Sequence, residues 1–163
     1  MPIREFEYMH GAVLAKILRK NEPLQLTLIE TSSEEPNALY KIVSEKLNES
    51  MLYIKHSKTP TVRDDFSHFD FTFSTKNLAD LQEYSKGNLI LALVCAQKNY
   101  KTDGSEICVL QKNEITQLID INEKNAQSIR VTIKPRVSLR VRGTLTNNND
   151  LVIPKKAIET LVF

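Results

Sequence analysis

The residues with the clearest chemical potential are basic side chains that alternate along two segments near the C-terminus. Residues 130–134 read Arg-Val-Thr-Ile-Lys, and residues 138–142 read Ser-Leu-Arg-Val-Arg. Successive side chains of a β-strand point to opposite faces, so each segment places its polar residues on one face. If the two strands pair with these faces together, four cations and two hydroxyls lie side by side, and such groups contact phosphate. The predicted nucleic-acid-binding residues are Arg130, Lys134, Arg136, Arg140 and Arg142.

The positive charge of the chain is concentrated in the same region. Residues 121–163 contain eight basic and three acidic side chains, a net charge of +5, whereas the whole chain has a net charge of only +2. This asymmetry indicates an anionic partner, although Lys and Arg also serve on edge strands to block edge-to-edge pairing. No aromatic residue lies between Tyr100 and Phe163, so single-stranded bases have no stacking platform there. The predicted partner is therefore duplex nucleic acid or an acidic protein surface.

Other catalytic chemistries find little support in the sequence. His10, His56 and His68 are not at metal-ligand spacing from one another or from a cysteine, and we predict that His10 is a packed or capping group rather than a base. Cys95 and Cys108 lie in apolar runs, where a buried thiol behaves as a small hydrophobic group. With only 4 glycines, the chain contains no phosphate-binding loop and no nucleophile elbow.

Hydrophobic periodicity and turn residues predict the elements that must position these side chains. An amphipathic pattern predicts a helix over 3–20, and a second helix begins near Ser74 and ends at Lys86 and Gly87. The run 89–95 is apolar throughout, which is typical of a strand buried on both faces. Further strands are predicted at 24–29, 38–43, 51–56, 69–73, 107–110, 129–133, 138–143 and 151–153, with a long polar loop at 57–68 and a short helix from Asn113.

This order of elements predicts an α/β (α+β) fold. The helices and strands up to about residue 120 form one central mixed β-sheet flanked by helices, and the remaining strands form a small C-terminal β appendage. A chain of 163 residues and 18.6 kDa is the right size for one domain. We therefore expect a core at 1–120 and a basic extension at 121–163, packed as part of the same domain.

The first part of this order resembles the PD-(D/E)xK, or restriction-endonuclease-like, superfamily over about residues 5–110. The resemblance implies a core of one helix, a meander of three strands, a crossover helix and a central strand. In active members a Pro-Asp-like dipeptide enters the second strand, and the third strand carries an acid, one spacer and a lysine. The corresponding residues here are Pro36 with Asn37, and Tyr53 followed by Ile54 and Lys55.

Two departures from this motif affect the expected function. Mg²⁺ in proteins prefers carboxylate oxygens, whereas Asn37 offers a neutral carbonyl and Tyr53 a neutral phenol. The resemblance therefore implies a nuclease-like scaffold with Lys55 but without the motif acids. The leading hypothesis is a non-catalytic domain without a cofactor, which binds nucleic acid or a partner within a restriction, repair or phage-defence complex.

Two alternatives remain open. Glu7, Glu30 and Asp70 converge with Lys55 if the loops allow it, and displaced acids of this kind would restore a Mg²⁺-dependent DNase with Lys55, Glu30 and Asp70 as catalytic residues. Otherwise these acids are a helix-face charge, a turn residue and a strand-edge residue. The second alternative is a protein-interaction or assembly module with no nucleic-acid role. Under any of these hypotheses, the expected partners also include further copies of the chain or a larger complex.

The composition also bears on location. No apolar run approaches the 18 to 20 residues that a membrane span needs, and residues 1–5 lack a secretory pattern. Together with the two apolar cysteines, this predicts a cytoplasmic protein with no membrane association.

Overall fold

A computed structural model describes residues 1–20, 22–31, 37–99 and 104–163, apart from the side chains of residues 30 and 31. Within these residues the chain has the predicted α+β fold. The helices are α1 (Glu5–Leu18), α2 (Thr75–Tyr84) and α3 (Lys112–Leu118), with a 3₁₀-helix at Ala157–Thr160. The strands are β1 (Leu24–Thr31), β2 (Asn37–Ser44), β3 (Glu49–Ser57), β4 (Thr61–Arg63), β5 (Phe66–Phe73), β6 (Asn88–Cys95), β7 (Glu106–Gln111), β8 (Gln127–Ile133), β9 (Leu139–Gly143) and β10 (Leu151–Ile153).

The first sheet, sheet A, is mixed and has the strand order β1-β2-β3-β6-β7. Strands β1, β2 and β3 form an antiparallel meander, whereas β6 runs parallel to β3 after a connection that contains β4, β5 and α2. Strand β6 has a neighbour on each side, and all of its residues from Leu89 to Cys95 are buried. The continuous apolar run thus forms the predicted buried strand.

The second sheet, sheet B, is antiparallel and has the order β10-β9-β8-β5-β4. The prediction that β5 belongs to the mixed sheet is wrong, because β5 pairs with β8. The C-terminal strands are therefore part of a complete sheet rather than a small appendage. The predicted long loop at 57–68 also contains β4, which forms a hairpin with β5.

The main core lies between the two sheets. Phe69, Phe71 and Phe73 on β5 are each at most 1% exposed and pack with residues of sheet A, such as Leu91 and Leu93. Burying an aromatic or aliphatic side chain stabilises a fold by roughly 1.5–3 kcal/mol, which explains why β5 lies over sheet A with its phenylalanines inward. On the other side of sheet A, α1 and the C-terminal segment form a second core. In sheet B, side chains that point into the main core alternate with side chains on an outer face that is largely exposed to solvent.

Helix α2 begins where the sequence predicts. The Ser74 hydroxyl accepts the N–H of Asn77, and the Asn77 side-chain oxygen accepts the N–H of Ser74, both at 3.2 Å. The predicted end at Lys86 and Gly87 is wrong, because the helix stops at Tyr84 and no glycine in the described residues has a positive φ. Ser85 closes the last turn instead, since its hydroxyl donates to the carbonyl of Gln82 at 2.8 Å.

Strand β9 approaches α3 at Gly143. A Cβ at this position would overlap the carbonyl oxygen of Leu118 and lie 2.7 Å from its carbonyl carbon. The same carbonyl accepts the N–H of Leu145 at 3.0 Å. Only a residue without a side chain therefore allows this contact between sheet B and α3.

None of the helices in the described part of the chain has the length and apolar character needed to span a bilayer.

Candidate nucleic-acid interface

The outer face of sheet B carries the basic side chains that the sequence analysis identified. The register of β8 and β9 places Arg130 opposite Arg142 and Thr132 opposite Arg140. The two strands thus pair with their polar faces together, while Val131 and the other alternate residues point into the core. The three arginines are exposed and lie on adjacent strands, and guanidinium groups are common donors to phosphate oxygens.

Two carboxylates flank the Arg130–Arg142 pair. Arg130 donates to both oxygens of Asp70 on β5, from Nε to Oδ1 at 2.7 Å and from Nη2 to Oδ2 at 3.3 Å. Arg142 donates from Nε to Asp150 Oδ1 at 2.7 Å. The hydrogen bond to Asp70 raises the pKa of Arg130. One row of side chains across sheet B therefore consists of an acid, two bases and an acid. Its net positive charge is smaller than the basic sequence pattern indicates.

The excess positive charge lies in the neighbouring row and at the adjacent turn. Within the described residues, no acidic group forms an ion pair with Arg140. Lys134 is exposed, with Nζ 5.3 Å from the centroid of the Phe66 ring. Arg136 is exposed in the turn between β8 and β9 and has a φ of 64°. These three cations form the least neutralised part of the face.

Lys55 lies in a different environment from these arginines. It is on the inner side of sheet A, opposite Asn37 on β2, and is only 6% exposed. Its Nζ donates to the Oδ1 of Asn77 at 3.2 Å and lies 5.4 Å from the centroid of the Phe73 ring. A buried ammonium needs hydrogen bonds or a π-face to offset its lost hydration. Asn77 of the α2 capping box and a phenylalanine of β5 supply part of this compensation.

Asn37 and Tyr53, which the resemblance places at the positions of the motif acids, contact each other. The Asn37 side-chain amide donates to the Tyr53 hydroxyl at 3.0 Å, and both side chains are buried. The sequence alone does not reveal the role of Asn77, whose side-chain oxygen accepts hydrogen bonds from both the Ser74 N–H and Lys55. Its only signal in the sequence is a helix-capping position immediately after β5.

The three acids considered as displaced metal ligands lie on three different elements, α1, β1 and β5. Asp70 lines an open groove of about 430 Å³ that Lys55 also lines, but both of its oxygens bond to Arg130. Glu7 accepts the N–H of Arg4 at 2.6 Å and caps α1. The backbone of Glu30 lies opposite Leu39, while its side chain falls outside the described residues. Among the side chains that the structure describes, no three His, Cys, Asp or Glu residues gather in a way that could hold a metal.

Two histidines form a separate polar contact between α1 and β3. The rings of His10 and His56 meet edge to face with centroids 5.6 Å apart. Nε2 of His10 and Nδ1 of His56 are buried with no hydrogen-bond partner among the described residues. Burial, together with the neighbouring His56, lowers the pKa of His10 to about 4, and burial also lowers the pKa of His56. Both rings are therefore neutral in the folded protein at pH 7.

The cysteines are buried, as the sequence predicts. Cys95 and Cys108 are both 0% exposed and are free thiols. Burial raises the pKa of both thiols, which disfavours the nucleophilic thiolate.

Comparison of the chain with protein-family models, with curated proteins and with solved structures finds no match.

Proposed function

We propose that this chain is a nuclease-like α+β domain that binds duplex nucleic acid through the outer face of sheet B and does not cleave it. The observation that carries the proposal is the register of β8 and β9, which sets Arg130 beside Arg142 and Thr132 beside Arg140 on one exposed face. Guanidinium and hydroxyl groups are the usual donors to phosphate oxygens. The exposed face of a sheet presents these donors on a stiff support.

The nuclease-like part of the proposal rests on topology. Helix α1, the antiparallel meander β1-β2-β3, helix α2 and the parallel strand β6 follow one another in the order that the PD-(D/E)xK resemblance implies. Strands β4 and β5 are inserted between β3 and α2. The insertion contributes to sheet B, so the proposed binding face is built onto the proposed nuclease-like core.

The non-catalytic part of the proposal rests on the side chains around Lys55. Asn37 and Tyr53, at the positions of the motif acids, are joined by a hydrogen bond. Asp70 is held by Arg130. A Mg²⁺ ion needs one or two carboxylates with free oxygens, and the described groups do not supply them in this arrangement.

Duplex binding is tested by fluorescence anisotropy with a labelled DNA duplex at two salt concentrations. We expect affinity that falls with salt, and we expect Arg140→Glu to weaken binding roughly tenfold and to reduce the salt slope by about one. The matched control is Arg19→Glu, at the end of α1 on the opposite side of sheet A, which should bind like the unmodified chain. No binding at low salt would contradict the proposal and favour an acidic protein partner. Equal effects of the two substitutions would contradict binding through the outer face of sheet B.

A Mg²⁺-dependent DNase is the second candidate, and the groove shared by Lys55 and Asp70 favours it. In that case Asp70 would have to release Arg130 before it could bind a cation. Incubation of the chain with supercoiled DNA and Mg²⁺ or Mn²⁺ separates the two candidates. Nicking that Lys55→Ala abolishes would refute the non-catalytic proposal, whereas intact DNA with retained duplex binding would support it.

A further inference from the structure

The edge strands of the two sheets differ in how well they are protected from pairing with a strand of another chain. Strands β4 and β10, the edges of sheet B, have only three residues each, and β7, one edge of sheet A, packs against the 3₁₀-helix and β10. Strand β1, the other edge of sheet A, has eight residues, and β2 is the one described strand that pairs with it. A long edge of this kind presents N–H and C=O groups that another strand can bind.

The composition of β1 also favours association. Residues 24–29 read Leu-Gln-Leu-Thr-Leu-Ile. They include no charged residue and no proline, and these are the residue types that usually prevent edge pairing. Leu28 is 52% exposed and Ile29 is 42% exposed. The register with β2 is regular from Leu24 to Leu28 and becomes irregular only between Leu28 and Glu30. A regular segment of five residues is therefore open along its outer side.

The sequence of this segment indicates which strand fits it. Leu-Gln-Leu-Thr-Leu is nearly symmetric about Leu26. When two copies pair antiparallel about that residue, Leu24 lies opposite Leu28, and Gln25 lies opposite Thr27. Each leucine then meets a leucine and each polar side chain meets a polar one, which is the self-complementarity that a two-fold interface requires.

We propose that β1 pairs antiparallel with β1 of a second copy of this chain, which joins two copies of sheet A into one continuous sheet of ten strands. The pairing uses up the open edge of both copies, so assembly stops at a dimer. The proposal is independent of nucleic-acid binding, since β1 belongs to sheet A and the basic face belongs to sheet B.

The proposed register is tested by two double variants at the same exposed positions. Gln25→Lys with Thr27→Lys sets like charges opposite each other across the interface, whereas Gln25→Glu with Thr27→Lys sets opposite charges there. We expect the unmodified chain to sediment as a concentration-dependent dimer. The first variant should dissociate at least roughly tenfold more readily than the second, because like charges directly opposite destabilise a strand pair and unlike charges stabilise it. Val62→Lys, which changes an exposed aliphatic residue on the short edge strand β4, is the control and should leave the dimer unchanged.

Sedimentation velocity over a 100-fold concentration range, with circular dichroism to confirm folding, distinguishes the outcomes. A monomer at all concentrations would overturn the proposal, and so would a dimer that neither double variant alters or an open-ended aggregate. If the like-charge variant fails to fold, the opposite-charge variant still decides the question. Its dimer should weaken as salt screens the introduced pairs, and a salt-independent dimer would exclude this register.

Discussion

Acidification should destabilise this fold through His10, because the folded protein keeps that ring neutral. The ring is 4% exposed, its Nε2 has no hydrogen-bond partner among the described residues, and it faces His56. Lys55 and Lys58 act on His56 in the same direction as burial, and Glu5 opposes them. A proton on His10 would therefore add an unpaired charge to the contact between α1 and β3.

The size of the effect follows from the two pKa values of His10. The folded state has a pKa of about 4, and an unfolded chain has the ordinary value of about 6.5. Above pH 7 neither state binds the proton, so His10 costs no stability. As the pH falls below about 6.5 the unfolded chain binds the proton while the folded protein does not, and by pH 5 this difference lowers the free energy of unfolding by about 2 kcal/mol.

Urea unfolding of the full chain at pH 7.5 and pH 5 measures this loss. His10→Leu removes the titrating ring from an apolar site, so the variant should lose about 2 kcal/mol less than the unmodified chain over the same interval. The control is His68→Gln, which removes a histidine from the partly exposed surface of sheet B rather than from the buried contact between α1 and β3. If His10→Leu and the unmodified chain lost equal stability, the assignment of a neutral buried ring would be refuted.

Three further outcomes follow from individual contacts. Gly143→Ala should destabilise the fold by roughly 1–3 kcal/mol, because the added Cβ meets the Leu118 backbone. The control, Gly87→Ala, should not destabilise the fold, since no atom lies within 4 Å of the added carbon. Thermal or urea unfolding measures both effects. Asp70→Asn should strengthen duplex binding and steepen its salt dependence by about one, because the substitution releases the Arg130 guanidinium. Fluorescence anisotropy titrations measure this effect, and unchanged titrations would exclude Arg130 from the interface. Asn77→Ala should lower the free energy of unfolding by roughly 1–3 kcal/mol, because the Asn77 half of the α2 capping box and one partner of buried Lys55 are lost. Asn113→Ala on α3 is the control.

Local patterns in the sequence predicted most individual elements, but not their assignment to sheets. Alternation identified Phe69, Phe71 and Phe73 as one apolar face, and the structure buries all three. Alternation does not show which layer such a face covers. The partner of β5 is β8, which begins more than 50 residues later, and the intervening sequence contains no local signal for that pairing.

The same limit applies to the candidate site. Period-two alternation correctly grouped Arg130 with Thr132 and Arg140 with Arg142, because that pattern is local. The carboxylates that neutralise two of these arginines come from other strands or turns. Asp70 reaches Arg130 only because β5 lies beside β8, so the sequence suggested a catalytic acid where the structure has an ion-pair partner.

Asp70 lies beside both the groove lined by Lys55 and the basic outer face of sheet B, and its ion pair with Arg130 affects the charge of both places. The residue lines the groove with Lys55 and bonds Arg130 on the basic face, so a phosphate approaching either place meets its carboxylate. An unpaired Asp70 would repel that phosphate, whereas Arg130 cancels the negative charge and fixes the side chain in a bidentate geometry. The pair therefore makes the outer face less basic than its arginines suggest, but it also keeps the rim of the groove from being acidic. Under the proposed function this pairing would favour binding over cleavage, because a carboxylate free to take up Mg²⁺ would favour cleavage.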